Sequence, residues 1–105
     1  MIATLDATFA ALASTTRREI LLRLRDADAS VAELAEPFSM TVRAISKHVA
    51  VLEAAGLISK RRNGQRMVSS LRVEPIREVD TWLAAYRHVW DTRFDSLEDQ
   101  LRSGR

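Results

Sequence analysis

The last third of the chain carries an apolar stripe that only a long helix can align. Large apolar side chains recur there at steps of three and four, at Ile76, Val79, Leu83, Tyr86, Trp90, Phe94, Leu97 and Leu101. This spacing predicts a helix over about residues 75–101, roughly 40 Å long. A chain of 105 residues, enough for one domain, is too small to cover such a stripe easily with its own core.

We therefore expect the chain to form a homodimer in which at least half of the stripe packs on a second copy, together with the N-terminal helix. The alternative is a last helix folded back on its own core. The side chains that we assign to the dimer interface are Leu5, Phe9, Leu83, Tyr86, Trp90, Phe94 and Leu97.

Two short helices are predicted at the start of the chain. The first has an apolar stripe at Ile2, Leu5, Phe9 and Leu12. Ser14 or Thr15 can cap the second helix, whose apolar side chains are Ile20, Leu21 and Leu24. Arg17 and Arg18 lie in the first turn of this helix, where they could help to bind a phosphate or pair with a nearby acid.

Two further helices are predicted before residue 56. Ser30 and Glu33 have the spacing of a capping box, which would open a short helix over 31–36 before Pro37 ends it. Thr41 can cap the next helix, over about 41–55, and Gly56 suits its C-terminus because glycine accepts the left-handed conformation. The buried side chains of this helix would be Ile45, Val49 and Leu52.

A β-hairpin is predicted between this helix and the last one, over about 57–73. Asn63 and Gly64 separate two β-compatible runs, and both residue types tolerate the positive φ angles of a tight turn. The predicted fold is thus mainly α with a β-hairpin wing, in one domain over residues 1–105. The last three of these four helices, the hairpin and the final helix follow each other in the order of a winged helix-turn-helix.

The charges are divided unevenly along the chain. The net charge is only +2, yet residues 41–72 carry seven Lys and Arg side chains and a single acid, Glu53. Residues 1–40 and 73–101 are both net acidic. The basic third of the chain is either a phosphate-binding surface or a solvated face, and charge alone does not decide between them.

The helix-turn-helix order favours the phosphate-binding interpretation, because the second helix of such a motif enters the major groove of DNA. Arg43 could then bind a guanine with two hydrogen bonds, Ser46 a base or a phosphate, and Lys47 a phosphate. His48 either contacts phosphate or packs at the base of the helix. The side chains predicted to contact DNA are Thr41, Arg43, Ser46, Lys47, His48, Lys60, Arg62, Gln65 and Arg66. Strand alternation turns Arg61 away from Lys60 and Arg62.

Two segments resemble the ArsR family of bacterial winged-helix repressors. Residues 13–21 (ASTTRREIL) are similar to the helix of that family that begins with a Thr-Arg pair, and residues 44–58 (AISKHVAVLEAAGLI) to its recognition helix running into the wing. Trp82-Leu83 and residues 86–90 (YRHVW) resemble a metal-free branch. The resemblance implies a homodimeric cytoplasmic repressor of a short inverted repeat, with Arg43, Ser46 and Lys47 at the recognition positions and a dimer interface built from the first and last helices.

The chain departs from the metal-sensing members of this family. It has no Cys, and its third helix reads VAELAE where those members carry a Cys-bearing motif. Other members use Asp and His ligands along the last helix at fixed spacing, but here Asp80 is followed two residues later by Trp82, and His88 is the only His of that helix. Because a zinc site needs about three or four ligands, two His in the chain do not supply one per subunit. We expect no metal and no cofactor.

The sequence therefore predicts a sequence-specific regulator, a repressor of transcription that could also act on its own gene, binding double-stranded DNA at an imperfect palindrome. The alternative is a winged-helix protein-interaction module whose basic face is incidental. An enzyme is disfavoured because the chain has no Cys nucleophile, no Gly-rich phosphate loop and no convergent acid-base set. With no apolar run of about 18 residues, no membrane contact is expected.

Overall fold

The computed structural model describes residues 4–102, apart from the side chains of residues 94–96. It is mainly helical with one antiparallel hairpin, as the sequence predicts. In chain order the elements are α1 (Leu5–Leu12), α2 (Thr15–Asp26), α3 (Val31–Ala35), α4 (Val42–Ala54), β1 (Ile58–Asn63), β2 (Arg66–Leu71) and α5 (Glu74–Arg102). Ile2, assigned above to the first helix, lies outside the described residues.

The predicted caps define where the helices begin. The Ser14 hydroxyl accepts a hydrogen bond from the Arg17 backbone N–H at 3.3 Å, and the Thr41 hydroxyl accepts one from the Ala44 N–H at 3.0 Å. Ser30 and Glu33 form the reciprocal capping box at α3. These side-chain oxygens satisfy backbone donors that have no partner inside the helix. At the C-terminus of α4, Gly56 has the expected positive φ, 79°.

The core lies where α2, α3, α4 and the base of the hairpin meet. The predicted stripes of α2 and α4 are buried in it, and its fully buried large side chains include Ile20, Leu34, Ile45, Val49, Leu52, Leu57 and Ile58. Burying a Leu or Ile side chain contributes roughly 1.5–3 kcal/mol, so this cluster is the main source of stability. It leaves the opposite face of α4 directed to solvent.

Helix α1 contacts the core through different side chains from those expected. The buried residues of α1 are Thr8 and Ala11, whereas Leu5 and Leu12 are half-buried and Phe9 is exposed. Thr8 satisfies its own hydroxyl by donating to the Thr4 carbonyl at 3.1 Å. Small residues allow α1 to approach the domain closely, and the large side chain of Phe9 is left on its surface.

The hairpin turn lies one residue later than predicted. Asn63 is the last residue of β1 and pairs with Arg66, so the two turn residues are Gly64 and Gln65. Gly64 has a φ of +67°, and no other residue of the hairpin has a positive φ. A glycine at the first of two turn positions is typical of a type II′ turn, in which only that residue needs a positive φ. The expectation of positive φ at Asn63 was therefore wrong.

Replacing Gly64 with Ala is expected to lower the free energy of unfolding by about 1 kcal/mol, because the left-handed conformation brings Cβ close to the backbone carbonyl. Apart from the glycine itself and its two chain neighbours, a Cβ at this position would meet no atom within 4 Å, so the loss comes from the local backbone alone. Gly64→Asn is expected to lose less, since Asn tolerates this conformation better. Urea denaturation followed by far-UV circular dichroism measures both variants. An Ala variant as stable as the wild type would contradict the turn geometry.

A backbone bridge that the sequence did not predict fastens the hairpin to the helices. Ala29 donates its N–H to the Ser69 carbonyl at 3.2 Å and accepts from the Ser69 N–H at 2.8 Å. Both residues are buried, and only Ser30 lies between Ala29 and the first residue of α3. The bridge therefore fixes the hairpin relative to the start of the helix-turn-helix.

Most of the apolar stripe of α5 is exposed. Val79 and Leu83 are half-buried against the domain, whereas Tyr86, Trp90, Leu97 and Leu101 are 48%, 37%, 51% and 70% exposed. The Phe94 side chain lies outside the described residues. At 29 residues the helix is about 44 Å long, which is more than this domain covers. In the described part of the chain, no helix is both long enough and apolar enough to cross a membrane.

Candidate nucleic-acid interface

The solvent-facing side of α4 carries the predicted contact residues of this helix. Thr41, Arg43 and Lys47 are exposed, whereas Ser46 and His48 are half-buried. They lie on the side away from the buried stripe of Ile45, Val49 and Leu52, or on its flanks. The core therefore holds α4 by one face and presents the other as a polar and basic surface.

Positive charge is concentrated at the N-terminal end of α4. The first turn contains no acid, and it carries Arg43 close to four backbone N–H groups that have no partner inside the helix. The helix dipole makes this end positive, so a cation here is unfavourable for the free domain. Among residues 4–102, neither Arg43 nor Lys47 forms an ion pair with a carboxylate. The site is thus suited to attract an anion.

The predicted contact residues of the hairpin divide into free and paired side chains. Arg62 and Gln65 are exposed near the tip, and Arg62 pairs with no carboxylate in the described part of the chain. The Lys60 ammonium lies 3.7 Å from a Glu53 carboxylate oxygen on α4. Arg66 pairs with Glu33 at the start of α3. The structure thus leaves Arg62 and Gln65 available and engages Lys60 and Arg66 within the chain.

Two ion pairs join the hairpin to the helix-turn-helix on one face of the sheet. Arg61 donates to Asp28 at 2.8 Å, and Arg66 donates to Glu33. Hydrogen bonds from Arg61 and Ser70 lower the pKa of the Asp28 carboxyl below its ordinary value. Hydrogen bonds from the Ser30 backbone and hydroxyl, with a contribution from Arg66, lower the pKa of Glu33. Both carboxylates therefore act as anchors of the hairpin in their ionised forms.

The lowered pKa values predict a loss of stability in acid. Unfolded Asp and Glu titrate near pH 4, and a lower folded-state pKa means that the unfolded chain binds more protons. The stability from Asp28 and Glu33 is therefore complete above about pH 5 and is lost as the pH falls through the folded-state pKa values. Thermal unfolding between pH 7 and pH 3 is expected to give a flatter curve for the Asp28→Asn/Glu33→Gln double variant than for the wild type.

The control for this prediction is the Glu19→Gln/Glu36→Gln double variant. Both side chains are exposed and form no ion pair in the part of the chain that the structure describes. Its Tm is expected to fall with pH as steeply as that of the wild type. If the Asp28 and Glu33 variant also follows the wild-type curve, the two ion pairs do not stabilise the hairpin.

Arg17 contacts the candidate interface in a way that the sequence did not suggest. One of its terminal nitrogens lies 3.3 Å from Nδ1 of His48 on α4. In the part of the chain that the structure describes, Arg17 pairs with no acid, and Arg18 donates to the Leu12 carbonyl and the Thr15 hydroxyl instead. The salt bridge considered for these two arginines is therefore absent among residues 4–102. Because Arg17 and His48 are 31 positions apart, no local pattern could reveal their contact.

A second candidate surface is aromatic and lies between α1 and α5. The Phe9 and Trp82 rings meet edge to face with centroids 5.2 Å apart, and the Trp82 and Tyr86 centroids are 5.1 Å apart. Trp82, which was not among the predicted interface residues, thus contacts α1 through the ring of Phe9. All three rings remain between about one third and one half exposed. This cluster continues into the exposed stripe of α5.

The described residues contain no group of three or more His, Asp or Glu side chains that could hold a metal ion. The two His lie on different elements, since His48 on α4 contacts Arg17 and His88 lies exposed on α5. The surface offers hydrogen-bond donors and cationic side chains, which suit an anionic partner.

Comparisons with known proteins agree with this geometry. A family model described as a helix-turn-helix domain matches residues 12–61. The transcriptional repressor SdpR of Bacillus subtilis is 32% identical over 83 residues, which are 79% of this chain and 92% of SdpR. A crystal structure described as an ArsR family transcriptional regulator is 38% identical with a TM-score of 0.74, covering 83% of this chain and 96% of that one. An ArsR-like transcriptional regulator from Rhodococcus sp. RHA1 is 30% identical with a TM-score of 0.71, covering 90% of both chains.

Proposed function

The chain belongs to the ArsR family of winged helix-turn-helix transcriptional regulators, and from this premise we propose that it is a homodimeric repressor of an inverted-repeat operator. The family consists of DNA-binding regulators and not of enzymes. In our proposal α4 is the recognition helix, which enters the major groove, and the hairpin is the wing, which follows the DNA backbone. Such a protein would act in the cytoplasm, where bacterial DNA lies.

The observation that carries the proposal is a set of exposed cations with no carboxylate partner in the described part of the chain. Arg43 and Lys47 lie on the free face of α4, and Arg62 lies near the tip of the hairpin. A free domain gains nothing from leaving these charges unpaired, and Arg43 also opposes the helix dipole. A polyanion such as DNA would supply the missing partners, because phosphates and base edges accept hydrogen bonds from all three.

The role that we propose for each side chain follows from where it would lie along the DNA duplex. Arg43, near the N-terminus of α4, would bind guanine, with Thr41 and Ser46 beside it, and Lys47 would bind phosphate. Arg62 and Gln65 would contact the backbone near the wing tip. Lys60 and Arg66 are held by Glu53 and Glu33, so they would contribute only by exchanging these carboxylates for phosphate.

The dimer is proposed from the apolar surface of α1 and α5. A row of half-exposed rings and exposed Leu side chains along a helix about 44 Å long is unfavourable in water. A two-fold contact between two copies would bury this row and would place two recognition helices about one turn of DNA apart. Repression, and repression of its own gene, are proposed by analogy with the relative named as a repressor.

The test is the selection of bound duplexes from a random pool by the full chain, followed by affinity measurements on the selected sequence at several salt concentrations. We expect the selected duplexes to share an imperfect palindrome. Affinity should fall steeply with salt, because each neutralised phosphate releases counterions. No enrichment, together with salt-independent binding, would contradict DNA recognition and favour a protein-interaction module.

A further inference from the structure

Arg17 connects three helices with one side chain. It lies half-buried in the first turn of α2, and its Nε donates to the Ala11 carbonyl at 2.6 Å. One terminal nitrogen donates to the Ala10 carbonyl at 3.1 Å, and the other lies 3.3 Å from Nδ1 of His48. The guanidinium thus caps the C-terminal end of α1 and at the same time contacts α4. A planar group with five fixed donors suits such a junction.

The contact determines which ring nitrogen of a neutral His48 carries the proton. Arginine has donors and no acceptor, so Nδ1 of His48 must be the acceptor of this hydrogen bond. A neutral imidazole that accepts at Nδ1 carries its proton on Nε2. His48 makes no other hydrogen bond among residues 4–102, and its ring is half-buried. The Nε2–H group of His48 is therefore a donor without an acceptor in the described part of the chain, and the hydrogen bond from Arg17 holds the ring in place.

We propose that Arg17 is a positioning residue for DNA binding, which orients His48 so that its Nε2–H donates to a phosphate beside α4. The inference rests on the proposed function, in which α4 is the recognition helix. His48 follows directly after Lys47, the side chain proposed to bind phosphate, and lies about 100° further around α4. Arg17 itself does not contact the DNA.

The same guanidinium also ties α1 to the recognition helix. Because α1 belongs to the proposed dimer interface, its position relative to α4 sets how the two recognition helices of a dimer are spaced. Arg17 fixes this relation through the Ala10 and Ala11 carbonyls on one side and His48 on the other. Removing it should therefore weaken DNA binding more than the loss of one distant positive charge.

Arg18 provides a matched control on the neighbouring position. It also donates to a carbonyl at the end of α1, that of Leu12 at 2.7 Å, and to the Thr15 hydroxyl, but it contacts no residue of α4. Arg18→Met removes the same charge and the same kind of helix cap as Arg17→Met. The two variants differ in the contact with His48 and in one further α1 carbonyl, that of Ala10, which only Arg17 binds.

The first experiment measures the affinity of each variant for the duplex selected by the wild type, by fluorescence anisotropy. Arg17→Met and His48→Ala are each expected to weaken binding about 100-fold or more, because each half of the dimer loses one hydrogen bond to a charged group, and Arg18→Met less than about twofold. The Arg17→Met/His48→Ala double variant should bind no more weakly than either single variant, because both remove the same interaction. Additive losses, or equal losses for Arg17→Met and Arg18→Met, would overturn the proposal.

The second experiment is independent of DNA. Nitrogen chemical shifts of the imidazole of His48 at about pH 8, where histidine is neutral, report which nitrogen carries the proton. We expect the Nε2–H form in the wild type and in Arg18→Met, and a mixture of forms in Arg17→Met. Thermal unfolding verifies that each variant is folded. An Nδ1–H form in the wild type would refute the inference even if the chain binds DNA, whereas failure to bind any duplex would refute the proposed function.

Discussion

Arg43→Glu is expected to weaken binding to the selected operator by about 100- to 10,000-fold. Loss of a hydrogen bond to a charged group costs about 1.5–3 kcal/mol, and the introduced carboxylate repels the DNA in addition. In a two-fold dimer the substitution occurs in both recognition helices, so the free-energy losses are doubled to about 3–6 kcal/mol. Fluorescence anisotropy at constant salt measures the change.

The same substitution is expected to leave the domain as stable as the wild type or slightly more stable. Arg43 lies in the first turn of α4, which contains no acid, and an acid there interacts favourably with the helix dipole by roughly 0.3–1 kcal/mol. Urea denaturation should therefore show no loss of stability. A variant that binds DNA more weakly but is as stable as the wild type shows that unfolding is not the reason for the lost affinity.

Arg23→Glu is the matched control, because it makes the same change of charge on the exposed side of α2, outside the basic segment. We expect it to weaken binding only through long-range attraction, an effect that salt screens. A loss equal to that of Arg43→Glu would mean that net charge and not a local contact drives binding. Milder variants separate the roles further: Arg43→Ala should relax base preference, and Arg62→Ala should weaken all duplexes alike.

The sequence predicted the parts of the fold that depend on neighbouring residues. Helix α4 is the clearest case, because Thr41 caps it, Ile45, Val49 and Leu52 form its buried face at helical spacing, and Gly56 follows its end. Each of these signals acts within a few positions along the chain. The exposed face of α4, which carries the candidate site, could be predicted because it lies opposite the buried face.

The remaining features depend on contacts between distant residues or on competing local choices. The Arg17 contact with His48, the Arg66 pair with Glu33 and the Ala29 bridge to the hairpin each span more than 30 positions, so no periodicity encodes them. The turn was placed one residue early because both Asn63-Gly64 and Gly64-Gln65 offer a glycine for the positive φ. Because Asn63 pairs with Arg66 across the hairpin, the turn residues are Gly64 and Gln65.

Trp90→Glu is expected to convert the dimer into a folded monomer, raising the dimer dissociation constant about 100-fold or more. Trp90 is 37% exposed, lies in the middle of the α5 stripe and makes no ring contact within the described part of the chain. Burying a Trp side chain at an interface often contributes more than about 2 kcal/mol, and a two-fold interface contains two copies. Sedimentation velocity over a range of protein concentrations measures the change.

The variant should keep its helical content, because Glu is a good helix former and Trp90 is not part of the core. Operator affinity should also fall by about 100-fold or more, since a monomer binds one half-site at a time. Thr92→Glu is the control, as this exposed residue lies two positions after Trp90 and faces away from the stripe. A Trp90→Glu variant that remains dimeric, or a Thr92→Glu variant that dissociates equally, would show that the stripe of α5 is not the dimer interface.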